Sequence, residues 1–196
     1  MYIASIGSGA AYGDNNLSGT YALLDTTEFP TNVLNEEKYK IDTAGNVYIL
    51  DQTCRNLYES LLPHCKIKKY APDGTWIYTL GSGNYGTGNF LSGTGADFAY
   101  INNYKIDSNQ NLYISTSYGD DSIFQLHKYS STGAWLMTLG NDSTIGENNL
   151  SGTSALFKGH RSILEYIDSV GNLYIADGYA DTYWGMNRKI RKYSST

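Results

Sequence analysis

The chain has 196 residues, 41% of them apolar, and a formal charge of -5, so it is long enough to bury a core and too apolar for a disordered tail. Its 19 Tyr and 21 Gly, set against only 17% charged residues, favour strands joined by tight turns over helices. No run approaches the roughly eighteen apolar residues of a membrane-spanning helix, and no basic stretch interleaved with aromatics suggests nucleic acid; both partner classes are set aside.

In chain order, Tyr2-Ile3-Ala4-Ser5-Ile6 predicts a short strand closed by Gly7. Leu-Ser-Gly-Thr follows at Leu17 and returns at Leu91 and Leu150, leading each time through a variable loop to Ile-Asp at Ile41-Asp42, Ile106-Asp107 and Ile167-Asp168. Each Ile-Asp opens a turn. A turn residue and Asn then enter an apolar strand, as Gly45-Asn46-Val47-Tyr48-Ile49, Gln110-Asn111-Leu112-Tyr113-Ile114 and Gly171-Asn172-Leu173-Tyr174-Ile175. This is hairpin chemistry. After another variable loop come strands at Lys66 to Tyr70, Gln125 to Tyr129 and Lys189 to Tyr193.

The ends of these strands belong to a longer repeat. Lys69 to Gly81 and Lys128 to Gly140 share a Lys-Tyr start, a turn Gly, a Trp and a Thr-Leu-Gly end. A third copy begins at Lys192 and stops at Thr196; its missing half, a short apolar strand and a Gly, matches Tyr2 to Gly7. The Ile-Asp pairs stand 65 and 61 residues apart, and each unit holds four strand-like segments. A four-stranded meander cannot bury both faces alone, so the period predicts blades packed around an axis, an all-β propeller with three blades in this chain.

Ile-Asp-x-x-Gly-Asn-x-Tyr-Ile-x-Asp followed by x-Ile-x-Lys-Tyr resembles the NHL repeat of β-propellers. Ile167 to Asp177 with Lys189 to Tyr193 matches best, and Ile41 to Asp51 with Lys66 to Gly74 nearly as well. The middle copy departs, with Gln110 at the turn Gly and Ser115-Thr116 in place of Leu50-Asp51. The resemblance implies four-stranded blades with the first strand innermost. It specifies architecture far more than activity.

Expected boundaries are an outer strand over 1–7, then blades over 8–81, 82–140 and 141–196, the last lacking its outer strand. Propellers close with about four to eight blades, so three need completion. The expectation is a non-catalytic scaffold that self-associates by strand exchange, Tyr2, Ile3, Ala4, Ser5 and Ile6 pairing with the edge Ile190, Arg191, Lys192 and Tyr193 of another copy. The outcome is a six-blade homodimer or, where the rotation fails to close, an open filament. A fragment of a longer propeller is the third reading.

Other residues bear on function. Cys54 and Cys65 flank a segment, Arg55 to His64, that reads as an exposed insertion; a disulfide there would contribute a little under about 3 kcal/mol and implies an extracellular or cell-surface location, its leader not part of this chain. Asn16, Asn141 and Asn149 open glycosylation triplets. Tyr118, Tyr179, Tyr183 and Trp184, expected in irregular segments, form a candidate surface for a glycan or protein ligand. His64, His127 and His160 occupy unrelated repeat positions and are expected in loops or on the surface, which weighs against a propeller lyase with a channel metal. No cofactor is implied. Asp42, Asp107 and Asp168 invite a Ca2+ reading, but their position before tight turns favours hydrogen bonding to local backbone.

Overall fold

A computed structural model describes residues 39–52, 65–81, 100–118, 123–140, 151–157, 162–182 and 185–194, with positions 6, 18, 19, 92, 93, 96 and 98. Among these the fold is all-β. Eleven antiparallel strands form three sheets, and no α-helix occurs among the described residues.

The first sheet is a meander of β1 (Tyr39–Ile41), β2 (Val47–Gln52), β3 (Cys65–Tyr70) and β4 (Trp76–Leu80). The second repeats it with β5 (Tyr100–Ile106), β6 (Leu112–Tyr118), β7 (Ile123–Tyr129) and β8 (Trp135–Leu139). The third has β9 (Ile163–Ile167), β10 (Leu173–Thr182) and β11 (Gly185–Tyr193), with β10 in the middle. The predicted variable loop before Lys189 is largely strand: β10 and β11 form one long hairpin pairing Leu173 with Tyr193 and, at its far end, Thr182 with Gly185. The two compact units are Met1–Ala99 with Thr132–Ala134, and Tyr100–Ser131 with Trp135–Thr196.

Period-two alternation sorts the side chains. In the first unit, Tyr48 and Leu50 of β2, Ile67 of β3 and Tyr78 and Leu80 of β4 share one buried sheet face through the pairings Leu50↔Ile67, Ile67↔Leu80 and Lys69↔Tyr78. Lys69 lies on the same face, with its ammonium 5.0 Å from the Tyr48 ring centroid and 5.6 Å from that of Tyr78.

In the second unit two sheets pack face to face. Tyr113, Phe124, Leu126 and Leu139 of the second sheet form one apolar core with Leu164, Leu173 and Ile175 of the third, joined by Ala155 and Phe157 from the segment between them. Phe157 meets Phe124 edge-on at 4.9 Å and Tyr193 at 6.0 Å. Gly140, at the end of β8, sits so close to this core that a Cβ would lie 2.8 Å from the Phe157 ring and 2.9 Å from the Phe124 carbonyl, at φ +75°. Only glycine fits there.

The Leu-Ser-Gly-Thr glycines act as backbone clips. Gly93 accepts from the Gly81 N–H and donates to the Gly133 carbonyl, Gly19 donates to Gly74, and Gly152 accepts from Gly140. The clip accounts for the glycine of each tetrapeptide. Two residues beyond its Thr, Ala96 and Ala155 are buried, as are Phe98 and Phe157 a further two along. Both pairs belong to a repeated Leu-Ser-Gly-Thr-x-Ala-x-Phe pattern.

Candidate functional site

The most regular polar arrangement is built once per sheet from four residue types. Asp42, Asp107 and Asp168 each directly follow the first strand of a hairpin, where the carboxylate folds back over the turn. Oδ1 accepts the N–H two residues on, at 2.9 Å from Ala44, 2.9 Å from Asn109 and 3.2 Å from Val170. The same oxygen accepts the N–H four residues on, at 2.9 Å from Asn46, 2.8 Å from Asn111 and 2.7 Å from Asn172. Oδ2 accepts the Asn side-chain amide at 2.8, 2.9 and 2.8 Å, and the hydroxyl of Tyr48, Tyr113 or Tyr174 at 3.3, 3.2 and 3.3 Å.

A lysine completes each set. Lys69 lies 3.9 Å from Asp42 Oδ2 and Lys192 lies 4.0 Å from Asp168 Oδ2, while Lys128 stands over the Tyr113 ring at 5.2 Å. Burial raises the Asp42 carboxyl, but hydrogen bonds from the Asn46 amide, the Asn46 and Ala44 N–H groups and the charge of Lys69 together bring it below the ordinary carboxylate range. The Asn172 amide is the chief reason the Asp168 carboxyl is also lowered. Burial and the adjacent carboxylate push the Tyr113 hydroxyl up, and it stays protonated as a donor.

A carboxylate offers about four lone-pair directions, and here all are filled by protein donors. The arrangement locks a turn and aims a Tyr ring across the sheet; it leaves no acceptor for a cation. The turn-chemistry reading of these aspartates, rather than the Ca2+ reading, matches the geometry.

A second polar position recurs in the third strand of each sheet, at Lys68, His127 and Arg191. In the third sheet Arg191 meets Asp177 Oδ2 at 2.8 Å and donates to the Leu156 carbonyl at 2.8 Å, while Ser162 donates to Asp177 Oδ1 at 2.7 Å. In the second sheet the ion pair is replaced by a neutral set. The His127 ring nitrogens lie 3.0 Å from Thr116 Oγ1 and 2.9 Å from Thr138 Oγ1, and Thr138 also accepts from the Trp135 indole at 3.1 Å. His127 is wholly buried, and burial brings its pKa down to about 3.

This corrects the expectation of a loop or surface histidine. Thr116 stands where Asp177 stands in the third sheet, so the departure of the middle repeat at Ser115-Thr116 and the presence of His127 belong together: hydroxyl and imidazole occupy the positions that carboxylate and guanidinium hold in the third sheet. A buried charge without a partner is costly, and a neutral pair avoids it. His64 and His160 lie outside the described residues. Among the described residues no cluster of His, Cys, Asp and Glu could hold a metal ion.

The remaining predicted positions fall as follows. Tyr118 and Tyr179 lie in paired strands rather than irregular segments, opposite Ile123 and Asn187, because the hairpins run further than turn residues suggested. Tyr183, Trp184, Asn16, Asn141 and Asn149 lie outside the described residues, as do Tyr2, Ile3, Ala4 and Ser5. Ile6 is described, half-buried and in no strand. Cys65 opens β3 and is buried; Cys54 lies outside the described residues, and no described cysteine is a free thiol. Ile190, Arg191, Lys192 and Tyr193 sit in β11, which has β10 on one side and no described strand on the other.

No helix among the described residues is long and apolar enough to cross a membrane. No protein-family model matches the chain, and no curated protein matches it.

Proposed function

We propose that the chain is a non-catalytic, NHL-like propeller module whose role is to assemble with copies of itself outside the cytosol. The observation that carries this reading is the unequal third sheet. Strands β3 and β7 are each followed by an outer strand, β4 or β8, whereas among the described residues no strand is placed beyond their counterpart β11. The outer side of a third strand is where each whole sheet adds its fourth, so a strand supplied from another copy can complete the same four-stranded order. Tyr2 to Ile6 fits by sequence, since with Gly7 it supplies the apolar strand and glycine that end the two whole repeats.

The polar groups described above support a structural rather than a chemical role. The aspartates are saturated by their own turns, His127 is sealed between threonines, and Asp177 is held by Arg191 and Ser162. A disulfide between Cys54 and Cys65 belongs to the same proposal and agrees with a location outside the cytosol.

The test compares the full chain with one lacking residues 1–6 by light scattering after gel filtration. Strand exchange requires the full chain to exceed its 21.7 kDa monomer mass and the shortened chain to associate at least tenfold more weakly while keeping its β-sheet circular dichroism. Equal association of the two chains would overturn it.

A further inference from the structure

The interface inside the second unit has two halves, and each half recurs elsewhere in the chain without its complement. One half is the β6–β7 face of the second sheet, with Tyr113 at 1% and Leu126 at 1% exposure. Its counterparts in the third sheet are Tyr174 and Ile190, and there Tyr174 is half-buried while Ile190 is 72% exposed. Register places Ile163 and Tyr166 of β9 on that same face, opposite Ala176 and Tyr174, and both are exposed, Tyr166 at 59%. The Tyr166 and Tyr174 rings lie 5.8 Å apart and form, with Ile190, an apolar patch on three strands.

The other half is the face of the third sheet that receives the second: Leu164, Leu173 and Ile175, all at 1% exposure or less, with Ile167 beside them. In the first sheet the same register positions are Tyr39, Val47, Ile49 and Ile41, since Tyr39 pairs with Ile49 and Ile41 with Val47 as Leu164 pairs with Ile175 and Ile167 with Leu173. Here Tyr39 and Ile41 are exposed, Ile41 at 61%, and Val47 and Ile49 are only half-buried.

We infer that the first sheet of a second copy docks on the exposed face of the third sheet, reproducing between chains the packing seen within the second unit. The inference rests on the self-assembly reading above and adds the surface and polarity of the contact. The occupant is a second copy because the chain itself carries the matching half: apolar residues at the equivalent paired positions, Ile41 and Ile49 being the same residue type as Ile167 and Ile175, which already cover the equivalent face of the second sheet. The contact is head-to-tail: Tyr166, Tyr174 and Ile190 of one copy face Tyr39, Ile41, Val47 and Ile49 of the next. Strand exchange at β11 would extend this contact but is a separate event, since Tyr166 lies on β9, at the opposite edge of the sheet from β11.

Two single variants and their mixture test it. Tyr166→Asp spoils the third-sheet face and Ile41→Asp the first-sheet face; both sites are exposed, so each chain keeps its fold, checked by its unfolding midpoint. Each variant alone should fall to monomer at concentrations where the unmodified chain associates. Mixed in equal amounts they should form a dimer and nothing larger, because the intact third sheet of one meets the intact first sheet of the other. Association of either single variant as strong as that of the unmodified chain, or failure of the mixture to dimerise, would overturn face docking. If Tyr166→Asp associates normally while the chain lacking residues 1–6 does not, strand exchange stands and face docking falls. The reverse pattern removes strand exchange and keeps the face. A monomeric unmodified chain overturns both.

Discussion

Acid should unfold this protein through His127, and the effect can be separated from every other titration. The imidazole is wholly buried between Thr116 and Thr138, and its strand neighbours across the sheet, Ile114 and Thr138, carry no charge. Burial lowers its pKa from 6.5 to about 3, so the unfolded chain takes up the proton first. Stability from the neutral ring is therefore complete above pH 6.5, declines as the pH falls and is fully lost only below about pH 3. Each unit of pH in that window is worth about 1.4 kcal/mol, so descending from pH 6.5 to 4.5 removes about 2–3 kcal/mol. Replacement by glutamine, His127→Gln, keeps hydrogen-bonding capacity and removes the titration. Urea unfolding followed by tryptophan fluorescence at both pH values should show the unmodified chain losing about 2–3 kcal/mol more than the variant. Parallel loss in the two chains would refute the reasoning, because His127 would then be exposed or already charged in the fold.

Other expected outcomes concern the turns and the core. Asp107→Ala removes an acceptor of two N–H groups, an amide and a Tyr hydroxyl, and should lower unfolding free energy by about 2–4 kcal/mol in denaturant titration. Gln110 is the one described non-glycine with positive φ, at 62°, where its repeat counterparts are Gly45 and Gly171; Gln110→Gly should stabilise by up to about 1 kcal/mol, seen as a raised melting temperature. Gly140→Ala drives a methyl into the Phe157 ring and Phe124 carbonyl and should destabilise by about 2–4 kcal/mol. Thiol titration of the denatured, unreduced chain should find no sulfhydryl; two would refute the proposed Cys54–Cys65 bond.

Much of the architecture was legible because turn chemistry is local. Asp-x-x-Gly-Asn, with Gln110 in place of Gly in the middle copy, fixes a hairpin within five residues, and the three copies place β1 to β2, β5 to β6 and β9 to β10 without any tertiary information. Strand ends beyond the turns were not legible: Tyr179 looks like a loop residue until its pairing with Asn187 is seen, since pairing depends on a partner chosen by the fold. His127 was misread for the same reason. Sequence places no partner beside it, and the threonines that its ring nitrogens meet come across the sheet from eleven residues away on either side. The Ala155 and Phe157 contribution to the core was not legible because one alternating pair is too short to predict a strand; its repetition after Leu-Ser-Gly-Thr was the available signal. The exposure of Tyr39, Ile41, Tyr166 and Ile190 could not be read at all from sequence, because they have the same apolar character as their covered counterparts.

Self-association is the central claim, and sedimentation of the unmodified chain across a range of concentrations tests it most directly. The account predicts a species of at least twice 21.7 kDa that dissociates on dilution, either a single dimer for a closed ring or a ladder of larger species for an open one. A well-folded monomer of 21.7 kDa at every concentration would contradict it.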